Sequence, residues 1–185
     1  MSTKLSCSPP HAPNLGLTDK ERGAVISLLD RALANEVILL IKTRKMHWDI
    51  GGPQFLTLHQ LWGAQRAELD GMTDVIAERI RVLGGYPTAT ATGFLQLTSL
   101  AEHPGSVPRA TAAVCFLLTD HELVIQDLRT TIDACEASHD RGTAELLTRV
   151  MRAHETMAWT LRSLVSGSAV TAEGDAFAEV VPALA

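Results

Sequence analysis

The chain has 185 residues, a length suited to one domain, and 46% of them are hydrophobic, which is enough to fill a core and leave apolar surface for subunit contacts. Only 4% are aromatic, so aliphatic side chains must do most of the packing, and this favours helices. The formal net charge of −5 has the wrong sign for a protein that binds mainly by neutralising phosphates, whereas it suits one that collects cations.

The apolar runs and the cysteines bear on location and redox state. No apolar run approaches the roughly 18 residues that cross a bilayer, and residues 1–7 lack the apolar centre of a signal peptide. We therefore expect a cytoplasmic protein with no membrane partner. Cys7, Cys115 and Cys135 show no CxxC spacing, which argues against a disulfide framework or a zinc site, and we expect Cys115 and Cys135 to be buried.

Two long helices are predicted in the first half of the chain. Residues 1–17 contain three prolines and no periodicity, so they predict a flexible arm. A capping box at Thr18-Asp19-Lys20-Glu21 should start the first helix, which runs to about His47. The second helix should run over 54–83 and stop at the Gly84-Gly85-Tyr86-Pro87 sequence.

A long crossover separates these helices from the next pair. The connection over 87–108 has about twenty residues, enough to travel the length of a bundle. The apolar sequence over 94–100 predicts a short helix inside it. The third long helix is predicted over 107–137, with Ser106 as its cap and Pro108 in its first turn.

The fourth long helix is predicted over 141–165, with Asp140 as its N-cap. The final segment, 169–185, forms an acidic tail with no basic residue, and nothing in the chain is patterned as a β-strand. Four long helices with one long crossover predict an all-α four-helix bundle over 18–168.

Two histidines and two acidic residues have the spacing of metal ligands. His47 lies at the end of the first helix, while His59, Asp74 and Glu78 lie on the second. At about 1.5 Å per residue His59 and Asp74 are roughly 22 Å apart, so one ion cannot be held by both. They lie within roughly 60° of the same helix face, so an antiparallel copy would set His59 beside the partner's Asp74. The spacing predicts a symmetric pair of metal sites in a two-fold dimer interface.

Each of these residues taken alone has a simpler interpretation. His47 could interact with the dipole at a helix end, and His59 could be a solvated or core histidine. Asp74 and Glu78 could belong to an ordinary salt-bridged face. Together, two imidazoles and two carboxylates at these spacings suit a metal site.

Two sequence patterns point to a family. The first, K-T-x-x-x-H-W-D-x-x-G-P-x-F-x-x-L-H, begins at Lys42, and the second, D-x-x-A-E-R-I-x-x-L-G-G, ends at Gly85. Both resemble the Dps family, the mini-ferritins named as DNA-binding proteins from starved cells, and weaker agreement extends the resemblance over roughly 18–165. The resemblance implies a ferritin-like four-helix bundle whose short crossover helix helps to form the dimer interface. It also implies a hollow, dodecameric homo-oligomer built from two-fold dimers.

The resemblance also implies an activity. His47 and His59 would be ferroxidase ligands from one subunit, with Asp74 and Glu78 supplied by its partner, and the site would hold two irons. Fe(II) would be oxidised by hydrogen peroxide in preference to dioxygen and stored as ferric mineral, which protects the cell from oxidative damage. Trp48 would lie close enough to the metal to be oxidised or to quench radicals, or it would be a plain interface aromatic.

Two further features depend on the same resemblance. Many family members have an aspartate where this chain has Gly63, four residues after the second histidine, so the second iron position here lacks that ligand. Glu136, Asp140 and Glu145 fall at the predicted third-to-fourth helix junction, where Dps shells have acidic three-fold pores that pass iron. Helix-capping acids in a solvated loop are the alternative for these three residues.

Two other functions remain open. A DNA-coating, nucleoid-associated protein would need basic tails, yet the N-terminal arm offers only Lys4 before Lys20 and the C-terminal tail is acidic, so DNA binding is disfavoured. The other is a structural cage, or an enzyme that holds a different metal, in which Gly63 has cost the oxidase activity. We expect Trp62 and Trp159 to be packing residues, and we find no partner pattern for the histidines His103, His121 and His154.

Overall fold

The computed structural model describes residues 13–105, 107–166 and 177–178. In chain order the elements are α1 (Asp19–Asp49), α2 (Phe55–Val82), α3 (Ala91–Leu97), β1 (Val107–Pro108), α4 (Ala110–Ala137), α5 (Arg141–Val165) and β2 (Phe177–Ala178). The first twelve residues of the predicted arm, and all of the predicted acidic tail except 177–178, lie outside the described residues.

The four long helices form two antiparallel pairs, α1 with α2 and α4 with α5. The crossover brings α4 antiparallel to α1, since Asn35 contacts Asp127 and Lys42 contacts Asp120. The hydrophobic part of the core is mostly aliphatic, with a few sulfur-containing side chains and one indole. Its most enclosed large side chains, each less than 2% exposed, include Leu29, Leu39, Trp62, Leu69, Ile76, Leu117, Leu147 and Leu161. Each aliphatic side chain removed from water stabilises the bundle by roughly 1.5–3 kcal/mol.

The predicted capping box at the start of α1 is present. The Thr18 hydroxyl accepts from the Glu21 amide at 3.2 Å, and the Glu21 carboxylate accepts from the Thr18 amide at 2.7 Å. These two bonds satisfy amides that the first helical turn leaves unpaired. The helix then continues to Asp49, two residues past the predicted end.

Buried polar contacts fasten the crossover to α1. Lys42 Nζ donates to the carbonyl of Ala101 at 2.6 Å and to the Asp120 carboxylate on α4 at 2.8 Å. Asn35 Oδ1 accepts from the Ser99 amide at 2.8 Å. Burial raises the pKa of Asp120, and the adjacent Lys42 ammonium opposes that shift. These contacts set the position of α3 beside α1.

The start of α4 differs from the prediction. Residues 107–108 form β1, in which Val107 lies opposite Ala178 and Pro108 opposite Phe177 in an antiparallel pair, so Pro108 is not in the first helical turn and the chain does contain a β-strand pair. The backbone stays extended at Arg109, with φ −64° and ψ 158°, and α4 begins only at Ala110. The predicted cap, Ser106, lies outside the described residues.

Three smaller predictions are also corrected. Helix α3 begins three residues early, at Ala91, because the Thr90 hydroxyl accepts from the Gly93 amide at 3.1 Å and caps it. Trp159 is 65% exposed and so packs little against the described residues, whereas Trp62 is buried as predicted. Cys135 is buried but Cys115 is only partly so. None of the described helices combines the length and apolar character needed to cross a membrane.

Candidate metal centre

A tight hairpin between α1 and α2 brings the two predicted histidine ligands together. Helix α1 ends where Ile50 turns to an extended conformation with ψ 136°. Gly52 then adopts φ 81°, a left-handed conformation that glycine reaches without strain, and α2 begins at Phe55. Because the connection is short, the last turn of α1 lies against the first turns of α2, and His47 meets His59.

The two imidazole rings hold each other in place through the backbone. His47 Nδ1 lies 2.8 Å from the carbonyl oxygen of His59, and His59 Nδ1 lies 2.9 Å from the carbonyl oxygen of His47. The rings stack with their centroids 3.7 Å apart and their planes 21° apart. A carbonyl oxygen can only accept, so each Nδ1 carries the hydrogen. In the neutral rings each Nε2 therefore keeps its lone pair, which is the arrangement that a metal-binding histidine requires.

Phe55 and Gly63 define the space around the rings. The Phe55 ring packs 5.0 Å from the His59 ring, so the first turn of α2 supports that ligand. A Cβ atom at Gly63 would lie 3.3 Å from His47 Cε1 and 3.6 Å from His47 Nδ1. The missing side chain therefore allows the His47 ring to lie close against α2.

The two predicted acidic ligands lie apart from the histidines. Asp74 and Glu78 are exposed on α2, roughly 22 Å and more along that helix from His59 at 1.5 Å per residue. Exposed apolar side chains flank them, since Val75 is 42% and Val82 51% exposed. Among the residues that the structure describes, no three His, Cys, Asp or Glu side chains of one chain are grouped to hold a metal ion.

Comparisons with known proteins match this fold and hairpin. Residues 26–167 match the family model described as a ferritin-like domain. An uncharacterized low temperature-induced protein of Nostoc sp. is 49% identical over 162 residues, which cover 87% of this chain and 90% of that protein. DNA protection during starvation protein 2 of Bacillus anthracis is 32% identical over 142 residues, covering 77% of this chain and 97% of that protein. The chain belongs to the Dps family.

A solved structure confirms the ferritin-like, all-α fold. The crystal structure of the Dps protein from Vibrio cholerae superposes on this chain with a TM-score of 0.79 at 26% identity. The match covers 85% of this chain and 99% of that one. That structure is described as a member of a broad superfamily of ferritin-like diiron-carboxylate proteins.

Trp48 and Asp49 close the first helix of this Dps chain beside the histidines. Trp48 is 71% exposed, so the described part of its own chain covers little of it. Asp49 forms an ion pair with Lys45 one turn earlier. The Lys45 ammonium therefore partly neutralises the negative charge that Asp49 adds next to His47. The indole of Trp48 is thus presented on the same end of the hairpin as the histidine pair.

The three pore candidates separate into two kinds. Glu136 and Glu145 are exposed and line one pocket together with His139 and Arg141. Asp140 is 4% exposed and caps α5 by accepting from the Thr143 amide at 2.9 Å, while Arg79 donates to it at 2.8 Å. Its carboxylate is therefore occupied by the cap and the salt bridge.

Sequence reasoning missed one buried polar cluster. His121 and His154 contact each other in the centre of the bundle, and His154 also contacts Glu36. None of the three is part of a short sequence motif, and they come from three different helices. A glutamate inside an otherwise aliphatic stretch of α1 was the one signal available, since buried glutamates are rarely unpaired.

Proposed function

We propose that this Dps chain is a ferroxidase whose iron sites are shared between subunits. His47 and His59 of one subunit and the partner's Asp74 and Glu78 bind two Fe(II) ions as substrate at each site. Hydrogen peroxide is the oxidant, and the ferric product is stored inside a hollow, dodecameric shell built from two-fold dimers. The protein would thereby protect the cytoplasm under stress.

The mutual fixing of the two histidines carries this proposal. Reciprocal Nδ1-to-carbonyl bonds of 2.8 and 2.9 Å, with rings stacked 3.7 Å apart, hold both rings in one tautomer. An ordinary pair of surface histidines would lose side-chain freedom in this arrangement with little gain. A pair that presents two unprotonated Nε2 atoms side by side suits two neighbouring metal ions.

The partner's carboxylates complete the proposed site. Asp74 and Glu78 are one helical turn apart and exposed, with apolar Val75 and Val82 next to them. An antiparallel partner helix would cover this apolar surface and place the carboxylates at the histidine pair. Trp48, 71% exposed at the hairpin, would become covered in the same contact. In that position its indole can give up an electron to a stray oxidant.

The reaction needs two electrons per molecule of peroxide. Each of two Fe(II) ions gives one electron, the O–O bond breaks, and two protons are taken up so that two waters leave. No hydroxyl radical forms, because both electrons reach the same peroxide. Carboxylates then hold Fe(III) better than imidazoles do, which favours movement of the product towards the mineral.

Mixing two inactive variants tests the shared site. A His47→Ala/His59→Ala chain lacks one half of each site, and an Asp74→Ala/Glu78→Ala chain lacks the other. If the two are unfolded, mixed in equal amounts and refolded, half of the dimers should be mixed and one of their two sites should be intact. Peroxide-dependent ferric absorbance after anaerobic Fe(II) loading should then recover to about one quarter of the wild-type rate.

The controls separate a shared site from other outcomes. Each variant refolded alone should show no rate above buffer, and wild type taken through the same procedure should keep its rate. Air in place of peroxide should give slower oxidation. If the mixture stays inactive while light scattering shows assembled shells, the ligands come from one subunit or from elsewhere, and the proposed site is wrong.

A further inference from the structure

Three ionisable side chains form a continuous hydrogen-bonded group in the buried centre of the bundle. Glu36 on α1, His154 on α5 and His121 on α4 are each 0% exposed. His154 Nε2 lies 2.8 Å from Glu36 Oε1, and His154 Nδ1 lies 2.8 Å from His121 Nδ1. None of the three is near the hairpin histidines in sequence, and the proposed iron oxidation does not use them.

The contact between the two Nδ1 atoms limits how many protons the histidines can hold. Two nitrogens 2.8 Å apart form a hydrogen bond only when one carries the hydrogen and the other offers a lone pair. If both rings were doubly protonated, two N–H groups would point at each other. The folded pair therefore carries at most three ring protons, whereas two histidines in an unfolded chain carry four in acid.

In the described part of the chain, neither outer end of this hydrogen-bonded group has a partner that could accept a hydrogen bond from an added proton. His121 Nε2 and Glu36 Oε2 are both buried and have no hydrogen-bond partner among the described residues. An N–H at His121 Nε2 would be a buried donor without an acceptor, which is costly in an apolar interior. Burial and the neighbouring His154 both lower the pKa of His121 well below its usual value of 6.5.

The charged side chains next to Glu36, His154 and His121 are paired with other groups. On α4 the carboxylate of Asp120 binds Lys42 of α1. On α5 the side chain next to His154, Glu155, binds Arg129 of α4. The buried face of α2 contributes no ionisable side chain, and its buried polar residue is Gln65, which is 4% exposed. No second carboxylate among the described buried residues is thus available to neutralise a doubly charged histidine pair.

We propose that the Nδ1–Nδ1 contact of His121 with His154 is an acid-sensitive latch, which holds α4 to α5 and, through Glu36, to α1 at neutral pH and gives way in acid. Below the ordinary histidine pKa the unfolded chain takes up a proton that the folded pair cannot accept. The unfolded state then binds more protons, so the free energy of unfolding falls as pH falls. A shell built from these subunits would loosen in an acidic compartment.

The latch predicts a pH slope that one substitution removes. In His121→Asn the side-chain amide occupies the region of the Nδ1 atom and can donate to or accept from His154 without titrating. We would measure the unfolding equilibrium constant of the assembled full-length protein in guanidinium from pH 5.0 to 7.5, at one fixed subunit concentration. As the pH falls below 6.5, the unfolding equilibrium constant of wild type should rise more steeply than that of His121→Asn. The difference in slope should reach up to about tenfold per pH unit per subunit.

A surface histidine provides the matched control. His139 is exposed and has φ 61°, a conformation that asparagine tolerates, so His139→Asn should keep the wild-type slope. Equal slopes for wild type and His121→Asn would overturn the latch. Should His121→Asn fail to fold, hydrogen–deuterium exchange at histidine C2, followed by mass spectrometry of wild type, replaces it. Both rings titrating near pH 6.5 in the folded protein would also overturn the proposal.

Discussion

Gly63 offers a direct way to change the second iron position. A Cβ atom there would lie 3.3 Å from His47 Cε1, so the ring must move by a few tenths of an ångström to admit any side chain. Gly63→Asp places a carboxylate one helical turn after His59, on the same face of α2. Gly63→Asn has the same shape without the charge, and Gly63→Ala adds only the Cβ atom.

The expected magnitudes separate crowding from charge. Replacing a helical glycine by alanine gains about 1 kcal/mol of folding free energy, and replacing it by aspartate or asparagine gains only about 0.3 kcal/mol. The close contact with His47 offsets part of either gain. All three variants should therefore lie within about 1 kcal/mol of wild type in stability. Only the aspartate adds a negative charge, and two unit charges 4 Å apart interact by about 4 kcal/mol at an effective dielectric constant of 20. Since desolvation offsets much of this, we expect a tenfold to hundredfold gain in metal affinity, or about 1.4–2.8 kcal/mol.

Anaerobic calorimetric titration with Fe(II) measures the effect. Wild type should show one strong binding event per histidine pair and a weak second one, and Gly63→Asp should strengthen the second event. Gly63→Asn and Gly63→Ala should leave the second event weak. If asparagine strengthened it as much as aspartate, shape and not charge would control this position, and the reasoning from the missing carboxylate would be refuted.

Three other predictions concern the bundle itself. Lys42→Met should lower the free energy of unfolding by about 3–5 kcal/mol, because it leaves the buried Asp120 carboxylate unpaired. In guanidinium unfolding the double variant Lys42→Met/Asp120→Leu should recover most of that loss. If the single and double variants lost the same stability, the buried ion pair would be contradicted. Burial raises the pKa of Cys135 to about 11, so at pH 8 iodoacetamide should label Cys115 in the folded protein and Cys135 only after unfolding, as read by peptide mass spectrometry. Thr18→Ala should lower the free energy of unfolding by about 1 kcal/mol, and Thr18→Ser should not, if the capping box stabilises α1.

Local signals in the sequence predicted the ends of several helices. The capping box at Thr18 and the Asp140 cap each depend on residues within four positions of one another, so the sequence contains the whole interaction. The meeting of His47 and His59 was also predictable, because the Gly-Gly-Pro turn leaves the chain few ways to continue. The tautomer and stacking of the two rings were not, since both depend on backbone carbonyls whose positions only the folded hairpin defines.

Long-range contacts account for the errors. Val107 and Pro108 look like a helix start with a tolerated proline, but their strand pairing is with residues 177–178, about seventy positions away. Trp159 was expected to be a packing residue, yet it is 65% exposed on α5. The partner of Glu36 lies 118 residues further along the chain, and no spacing rule reaches that far.

The sequence separations within the hairpin histidine pair and within the buried Glu36–His154–His121 group indicate which of the two forms first during folding. His47 and His59 are only 12 residues apart, so their contact can form as soon as the α1–α2 hairpin closes, on the microsecond scale of local folding events. The contact between Glu36 and His154 spans 118 residues and must wait until the last long helix has docked. A chain emerging from the ribosome would therefore present its paired imidazoles well before its interior is sealed. Any metal captured by the nascent hairpin would be held on a bundle whose final contacts had still to form.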